Sequence, residues 1–364
     1  MLLLFHKPLK RIDGETRYVS ALIDAISQRY DVVIPSETFF ENMRFEEEKW
    51  LLRTILINFY LIKWILNNIN ALKFDFSFCF MEDRYVMLPT YVAYKFSHIR
   101  IISRVSDWGK GYLASLGFKG IFSHNSLYLL NWFYERFVLK LSFCVILPSE
   151  NMYNQFRNFF TKYLYYFPLP FVPPQTFNSK SAGGFLFQDG DHDIYCLMLG
   201  NYYYKPNEES ANFIVNNLAP AVKKIDPKIK FVIVGDGSLE KYSIYNADNL
   251  LSLGLIENLN EIYSNCQIGI NPSVTEGGTS IKIIEYLCNG LYVLATPESS
   301  IGVLRSSNLI VRSRNEFSQA LCELANKIRS GEIQDRNEEV ERVRSHYSKD
   351  VIMKNFLEFI ISIE

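Results

Sequence analysis

Short runs of consecutive apolar residues alternate along this chain with longer segments in which apolar residues recur every three or four positions. In the first half, the runs predict strands at 2–6, 31–35, 74–80, 99–105 and 143–148, and the spacing at 16–29 predicts a helix. Strands that are apolar on both faces and separated by helices indicate a parallel sheet covered on both sides. The predicted fold class is therefore α/β.

The same alternation restarts after a region dense in proline and glycine. Residues 168–193 read PLPFVPPQTFNSKSAGGFLFQDGDHD, a composition typical of a linker. Beyond it the pattern predicts strands at 195–199, 231–234, 250–253, 268–271 and 292–295, and helices at 210–225, 259–265 and 280–289. Near the end of the chain, an apolar stripe at 351–361 predicts a helix that must pack against another element.

Chain length supports this division into two halves. At about 100–200 residues per domain, 364 residues correspond to two domains, with three still open. We predict a Rossmann-like domain at 1–170, a linker at 171–193 and a second Rossmann-like domain at 194–345. Two such α/β halves are expected to face each other across a cleft.

Composition excludes several classes of protein. The chain is 48% hydrophobic and 21% charged, which is too apolar for a disordered chain and too mixed for a membrane bundle. A net charge of −1 gives no overall field that would attract nucleic acid. Residues 1–170 nevertheless carry +5 and the remainder −6, so the basic, aromatic half could face an anionic membrane or a phosphate-bearing acceptor.

The cysteines and the apolar segments predict a cytoplasmic protein. Six scattered cysteines without a C-x-x-C pair indicate buried free thiols in a reducing compartment. The first apolar run is too short for a signal peptide, and the longest one, 50–66, is interrupted by Arg53 and Lys63. Two interpretations of the aromatic segment 127–143 stay open: a place at the inner membrane face, or ordinary core packing. The five histidines have no metal-binding spacing, so no metal is expected.

Residues 268–296, IGINPSVTEGGTSIKIIEYLCNGLYVLAT, hold the most informative motif of the chain. A strand leads into two glycines, which let the backbone approach a ligand, and then into the first turn of a helix, whose N–H groups attract anions. Lys282 and Glu285 lie three residues apart and project from neighbouring places on that helix. A cation and a carboxylate there suit a diphosphate and its ribose. The competing interpretation is a capped helix with a surface Lys–Glu pair.

Four segments in order carry a resemblance to a known family. They are LMLGNYYYKPN at 197–207, FVIVGDGS at 231–238, LGLIENLNEIY at 253–263, and the window at 276–293. Together they resemble the second domain of the retaining nucleotide-sugar glycosyltransferases of the GT-B fold, the large family-4-type group also called glycosyl transferases group 1. Four ordered matches are much more specific than any one of them.

The resemblance implies a set of donor-binding residues. It implies that Glu285 binds the ribose hydroxyls. It also implies that the loop before the helix and the first turn of that helix bind the pyrophosphate and the sugar. The usual family arginine is replaced here by Asn201-Tyr202, so Lys205 and Lys282 are the candidate phosphate cations. The remaining donor-side candidates are Gly14, Asn201, Gly235, Leu255, Gly277, Gly278, Thr279 and Ser280.

Two catalytic candidates depart from the family pattern or compete with simpler roles. Glu276 lies nine residues before Glu285 instead of eight, so it is either a sugar contact or a solvated carboxylate. Asp107 follows a strand at the place where the family often carries a His-Asp pair facing the acceptor. It is either an acceptor-side group or the cap of a helix or turn.

The resemblance also implies an activity. The expected reaction moves a sugar from a nucleotide diphosphate sugar to a hydroxyl of a carbohydrate or lipid-linked acceptor, with retention and with no cofactor besides the donor. Surface polysaccharide or glycolipid assembly is the expected setting, and residues 346–364 are expected to return to the first domain as a helix. A nucleotide-sugar epimerase of the same fold and a non-catalytic nucleotide-sugar-binding relative remain alternatives.

Overall fold

The chain forms two compact units. The computed structural model describes residues 2–5, 14–34, 50–68, 74–80, 87–105, 137–157, 163–171, 192–247, 249–256, 258–275, 279–332 and 337–363. The first unit comprises Met1–Pro170 and Lys349–Glu364, and the second comprises Phe171–Ser348. The chain thus returns to the first unit three residues later than the sequence pattern suggests. Tyr347 still belongs to the second unit, because its buried hydroxyl accepts a hydrogen bond from the Leu304 N–H at 2.8 Å.

The first unit is built on a parallel sheet of six strands in the order β2-β1-β3-β4-β5-β6. The strands are β1 (Leu2–Phe5), β2 (Val32–Val33), β3 (Phe76–Phe80), β4 (Arg100–Arg104), β5 (Cys144–Leu147) and β6 (Tyr163–Tyr166). Five of them lie where the apolar runs predict strands. The edge strand β6 was not predicted, because its sequence, YLYY, is partly exposed and lacks a continuous aliphatic run.

The second unit has a parallel sheet in the order β12-β11-β10-β7-β8-β9. Its strands are β7 (Ile194–Leu199), β8 (Ile229–Val234), β9 (Leu250–Gly254), β10 (Ile268–Asn271), β11 (Tyr292–Ala295) and β12 (Leu309–Val311). This is the doubly wound Rossmann order. The chain runs from β7 toward one edge and then returns to place β10 on the other side of β7. The topological switch point therefore lies between β7 and β10.

Helices connect the strands in both units. They are α1 (Gly14–Ser27), α2 (Trp50–Asn68), α3 (Met87–Ser97), a helical segment 137–141, α4 (Glu150–Phe156), α5 (Lys205–Phe213), a π-helix (Ile214–Leu218), α6 (Ala219–Ile225), α7 (Ser238–Tyr242), α8 (Leu259–Asn265), α9 (Ile281–Cys288), α10 (Phe317–Arg329), α11 (Asn337–His346) and α12 (Lys349–Ser362). No helix in these described parts of the chain is long and apolar enough to span a membrane.

Helices cover both faces of the first sheet. Right-handed connections place α1 on one face, and α2 and α3 on the other, because the chain moves in opposite directions along the sheet. The α2–α3 face buries Ile57 and Ala93 against Ile101 of β4. On the opposite face Phe356 of α12 lies 6.0 Å from Phe78 of β3, ring centre to ring centre. The C-terminal helix therefore packs on the first unit.

The helix predicted at 210–225 is longer and less regular than its pattern indicated. It begins at Lys205, where Pro206 fits the first turn because that position needs no intrahelical N–H donor. Its centre is the π-helix Ile214–Leu218, which ends two residues before Pro220. A proline inside a helix cannot donate a hydrogen bond and crowds the preceding turn, and the wider π turn accommodates it.

Five cysteines whose side chains the structure describes are unpaired. Cys144, Cys196, Cys266, Cys288 and Cys322 are buried free thiols, as their apolar surroundings predicted. Burial raises the pKa of the Cys144 and Cys266 thiols to about 12, so both stay protonated and unreactive at neutral pH.

Candidate functional site

The ends of β7 and β10 form the crevice at the switch point of the second unit. In open α/β sheets, ligands bind outside the carboxyl ends of the strands at this position. The segment that follows β7 contains Gly200 and Asn201, and β10 ends at Asn271. The sequence candidates of the second unit that the structure describes lie on this edge or on the helices that begin there.

Two glycines allow the ends of β7 and β8 to approach each other. Gly235 has a φ of 131°, and a Cβ atom there would lie 1.9 Å from the carbonyl oxygen of Gly200. The Gly200 N–H donates to the Val234 carbonyl at 3.1 Å, and the Gly235 N–H donates to Gly254 at 2.7 Å. Gly235 was predicted to contact the sugar donor. Its conformation and the closeness of Gly200 already require a glycine at this position.

Helix α9 is fixed against both central strands by one aromatic side chain. The ring of Tyr286 lies over Gly269 of β10, where an added Cβ would approach the ring to 2.3 Å. The Tyr286 hydroxyl accepts a hydrogen bond from the Leu199 N–H at 2.7 Å. Because Leu199 is the last residue of β7, this contact ties α9 to the switch point.

The N-terminus of α9 is directed by a side chain from β10. Asn271 Nδ2 donates to Ser280 Oγ at 3.0 Å, and Ser280 is the residue that precedes the helix. The Ser280 side chain makes no capping hydrogen bond to the first turn, and the preceding Thr279 is buried. The first N–H groups of an α-helix lack intrahelical partners and carry a partial positive charge, so this turn suits an anion.

Lys282 connects α9 to the start of α5. Its Nζ donates to Asn207 Oδ1 at 2.7 Å, and Asn207 Nδ2 donates to the Asn201 carbonyl at 3.0 Å. Burial lowers the pKa of Lys282 to about 8, against the opposing effect of the Glu285 carboxylate. Sequence reasoning missed Asn207, although the Pro-Asn pair of the first resembling segment contains it.

Glu285 is buried one turn further along α9. Only 8% of its surface is exposed, and its Oε2 accepts a hydrogen bond from the Tyr263 hydroxyl of α8 at 3.2 Å. This burial argues against the surface-pair interpretation of Lys282 and Glu285. Tyr263 was not selected as a site residue, although it closes the third resembling segment.

Lys205, the other candidate phosphate cation, is exposed at the start of α5, and no acidic group in the described segments pairs with it. A different lysine approaches the loop after β7. Lys241 of α7 donates to the Tyr202 carbonyl and to Glu208 Oε1, both at 2.8 Å. The carboxylate of Glu208 neutralises Lys241, which leaves Lys282 as the cation with a neutral hydrogen-bond partner. Leu255, directly after β9, is 72% exposed.

Four candidates lie outside the described residues, namely Asp107, Glu276, Gly277 and Gly278. Their proposed roles therefore stay predictions. Gly14 is the first residue of α1, at the N-terminal end of that helix.

Comparison with known proteins decides the family of this site. Residues 193–327 match the family model of Glycosyl transferases group 1. The second unit is a group 1 glycosyltransferase domain. The matched residues include all the strands β7 to β12 and the helix α9 with Lys282 and Glu285.

Solved structures with a similar fold match nearly the whole chain. Sucrose-phosphate synthase from Thermosynechococcus elongatus has a TM-score of 0.71 at 14% identity and covers 100% of this chain and 98% of its own. Anabaena HepE in complex with UDP has a TM-score of 0.65 at 12% identity, with 99% of both chains covered. WaaG, a glycosyltransferase involved in lipopolysaccharide biosynthesis, has a TM-score of 0.61 at 12% identity, with 95% of each chain covered. The chain therefore has the GT-B fold.

A curated relative extends the comparison over part of the sequence. An uncharacterised 44.6 kDa protein in the cps region of Klebsiella pneumoniae is 32% identical over 120 residues. The match covers 30% of this chain and 31% of the relative's length. The group 1 match of residues 193–327 and the GT-B fold of the chain thus confirm what the four ordered segments predicted.

Proposed function

We propose that this chain transfers a sugar from a nucleotide diphosphate sugar to an acceptor hydroxyl, with retention of configuration, in the assembly of a surface polysaccharide or glycolipid. The observation that carries the proposal is the position of Lys282 at the switch point of a group 1 domain. Lys282 belongs to the first turn of α9, and its ammonium group donates to the Asn207 amide oxygen at 2.7 Å. A diphosphate could take the place of that neutral partner.

The first turn of α9 supplies the second part of a diphosphate site. Backbone N–H groups at a helix start and a lysine ammonium are complementary to phosphate oxygens. Ser280 Oγ lies at the same point and is held by Asn271. We assign the leaving diphosphate to these groups, since they stabilise negative charge that grows as the sugar departs. Each such donor contributes roughly 2–4 kcal/mol to the transition state, by analogy with oxyanion sites.

Glu285 and Tyr263 suit the ribose of the donor. A carboxylate accepts hydrogen bonds from two neighbouring hydroxyls, and the Tyr263 hydroxyl holds one oxygen of Glu285 in place. Because this carboxylate is buried, its hydrogen bonds contribute to binding. A buried polar group that loses its hydrogen-bond partner raises the free energy by about 1–3 kcal/mol. Asp107 and Glu276 remain our candidates for the acceptor and the sugar, respectively.

The similar proteins suggest which nucleotide sugar is the donor and in which biosynthetic process the reaction takes place. HepE structures are described in complex with UDP and with UDP-glucose, and the curated relative lies in a cps region. WaaG is described as involved in lipopolysaccharide biosynthesis. UDP-sugars are therefore the first donors to test, and a carbohydrate or lipid-linked hydroxyl is the first acceptor class.

The proposed reaction balances without a cofactor or a protein base. The bond between the anomeric carbon and the β-phosphate oxygen breaks, and a bond from the same carbon to the acceptor oxygen forms. The acceptor proton passes to an oxygen of the leaving diphosphate. The protein's part is to orient the two substrates and to stabilise the departing charge.

The test is an assay of purified protein with a panel of UDP-, GDP-, ADP- and dTDP-sugars and mixed glycan and lipid-linked acceptors. Release of a nucleoside diphosphate together with a glycosylated product of retained anomeric configuration supports the proposal. The Lys282→Ala variant should lower kcat/KM by about 10²–10³-fold, whereas Lys327→Ala, on the exposed face of α10, should match the wild type. Interconversion of sugars without an acceptor, or binding without turnover, would contradict it.

A further inference from the structure

The side-chain amide of Asn207 joins the start of α5 to two other parts of the second unit. Lys282 Nζ donates to Asn207 Oδ1 at 2.7 Å, and Asn207 Nδ2 donates to the Asn201 carbonyl at 3.0 Å. An ammonium group can only donate a hydrogen bond and a carbonyl can only accept one, so these two partners fix the orientation of the amide. Both polar atoms of the Asn207 side chain are therefore used.

The backbone after β7 leaves room for this amide. A Cβ atom at Gly200 would lie 3.0 Å from both Cγ and Nδ2 of Asn207, so a larger residue there would press on the amide. The Asn207 backbone N–H donates to the Tyr204 carbonyl at 3.0 Å, in the first turn of α5. Asn207 is thus held by its own backbone and by Asn201, and Lys282 is the partner that it positions.

The surroundings of Lys282 make this neutral partner important. Burial lowers the pKa of Lys282 to about 8, and the Glu285 carboxylate on the same helix acts in the opposite direction. On the neighbouring helices, Glu208 of α5 pairs with Lys241 at 2.8 Å, and Tyr263 of α8 donates to Glu285. A hydrogen bond from the ammonium group to an amide oxygen favours the charged form without neutralising it.

We propose that Asn207 is a positioning residue of the donor site, whose amide holds the Lys282 ammonium group charged and in place until a diphosphate binds. This inference rests on the function proposed above. An ammonium group has three N–H donors, and Asn207 takes one of them, which leaves two for phosphate oxygens. A carboxylate in place of the amide would compete with the diphosphate, and an apolar side chain would leave a buried charge without a partner.

The pKa of Lys282 tests this role without any nucleotide. NMR of the full chain with carbon-labelled lysine Cε atoms follows each ammonium group through a pH titration, and the resonance missing from Lys282→Arg identifies Lys282. Asn207→Leu should lower the pKa of Lys282 by about 1–2 pH units, because a hydrogen bond to the charged form is lost. Asn207→Asp should raise it by about 1–3 pH units, because a carboxylate then lies beside the ammonium group.

Donor binding supplies the second readout, by calorimetry with UDP between pH 7 and pH 9.5. The Kd of Asn207→Leu should begin to rise at a lower pH than the Kd of the wild type. Asn207→Asp should bind UDP at least about tenfold more weakly at pH 7, because its carboxylate repels the diphosphate, and its Kd should then change little up to pH 9.5. A merely structural role of Asn207 would weaken binding by the same factor at every pH.

Asn212 provides matched controls on the same helix. It is an exposed residue of α5, so Asn212→Leu and Asn212→Asp make the same chemical changes on the outer side of that helix. Both variants should keep the wild-type pKa of Lys282 and the wild-type Kd for UDP at each pH. A change in the pKa of Lys282 equal to that of the matching Asn207 variant would contradict the assignment to Asn207.

Two further results would overturn the proposal. One is the same pKa of Lys282 in the wild type and in both Asn207 variants, and the other is a shift of that pKa in one direction by both variants. The expected pKa values without UDP binding by the wild type would instead contradict the proposed function of the site, while they support the positioning of Lys282 by Asn207. The two proposals therefore fail on different measurements.

Discussion

Lys282 has a neutral hydrogen-bond partner in a site where the first turn of α9 also favours an anion. Asn207 holds its ammonium group at 2.7 Å, and burial lowers its pKa to about 8. A bound diphosphate would stabilise the charged form and raise that pKa again. At the residue scale, Lys282 therefore gives the donor site a measurable pH signature.

Donor affinity should fall as pH rises through the pKa of Lys282. Below pH 8 the ammonium form dominates and attracts the diphosphate, and above pH 8 the neutral amine does not. Between pH 7 and pH 9.5, we expect the Kd for UDP measured by calorimetry to increase roughly tenfold, because one charge is lost from the site. Lys282→Arg keeps its charge throughout this range and should flatten the profile. A wild-type Kd that is constant over the range would contradict this role.

Removing the carboxylate of Glu285 should weaken donor binding. Glu285→Ala removes the hydrogen-bond acceptor of the ribose hydroxyls, a loss of about 1–3 kcal/mol, or roughly 5- to 150-fold in Kd. Tyr263→Phe should have a smaller effect in the same direction, since it frees one carboxylate oxygen without removing it. Glu323→Ala on the exposed side of α10 is the matched control. Equal affinity of Glu285→Ala and the control for UDP would remove Glu285 from the ribose site.

At the scale of elements, the sequence between 268 and 295 predicts the structure to within about one residue. Strands β10 and β11 have the predicted bounds, and α9 is one residue shorter at each end. Residues that end strands and helices explain this accuracy. Pro272 ends the first strand, and Gly290, with a φ of 79°, stops the helix in a conformation that favours glycine. The start at Lys205 was missed although Pro206 fits a first helical turn, because that turn is polar and a π-helix interrupts the apolar period further along.

The contact between Gly269 and Tyr286 should control where α9 begins. Gly269→Ala places a Cβ about 2.3 Å from the Tyr286 ring, so the ring and its bond to Leu199 must move. We expect a loss of about 1–3 kcal/mol in the free energy of unfolding by urea and a higher Kd for UDP. Gly290→Ala is the control, because it adds strain of about 1–2 kcal/mol at a positive φ at the other end of α9. If both variants keep the wild-type Kd, Tyr286 does not position the site.

At the scale of the whole molecule, the local sequence pattern was sufficient to predict the α/β class and most strands. It was not sufficient to predict which distant residues form hydrogen bonds with the site residues. Lys282 meets Asn207 across 75 positions of sequence. That pairing depends on β10 lying beside β7, a consequence of strand order that periodicity does not encode. Lys205 and Lys282 were both candidate cations because the family arginine is missing. The side chain of Lys205 is exposed, and its role stays a prediction. Tyr263 was not selected for the same reason as Asn207, since its partner Glu285 lies 22 positions away in the sequence.

The two units also differ in the sign of their charge. The basic half identified from the sequence includes the acid-free helices α2 and α3, whereas the group 1 domain lies in the acidic half. The second unit therefore needs a local cation, Lys282, for its anionic donor.

A crystal structure of the protein with an intact UDP-sugar tests the central claim most directly. The account predicts that the diphosphate lies outside the ends of β7 and β10, with one phosphate oxygen within about 3 Å of Lys282 Nζ and others facing the first turn of α9. Lys282 should then have exchanged Asn207 for phosphate. A diphosphate bound elsewhere, with Lys282 still on Asn207, would contradict it.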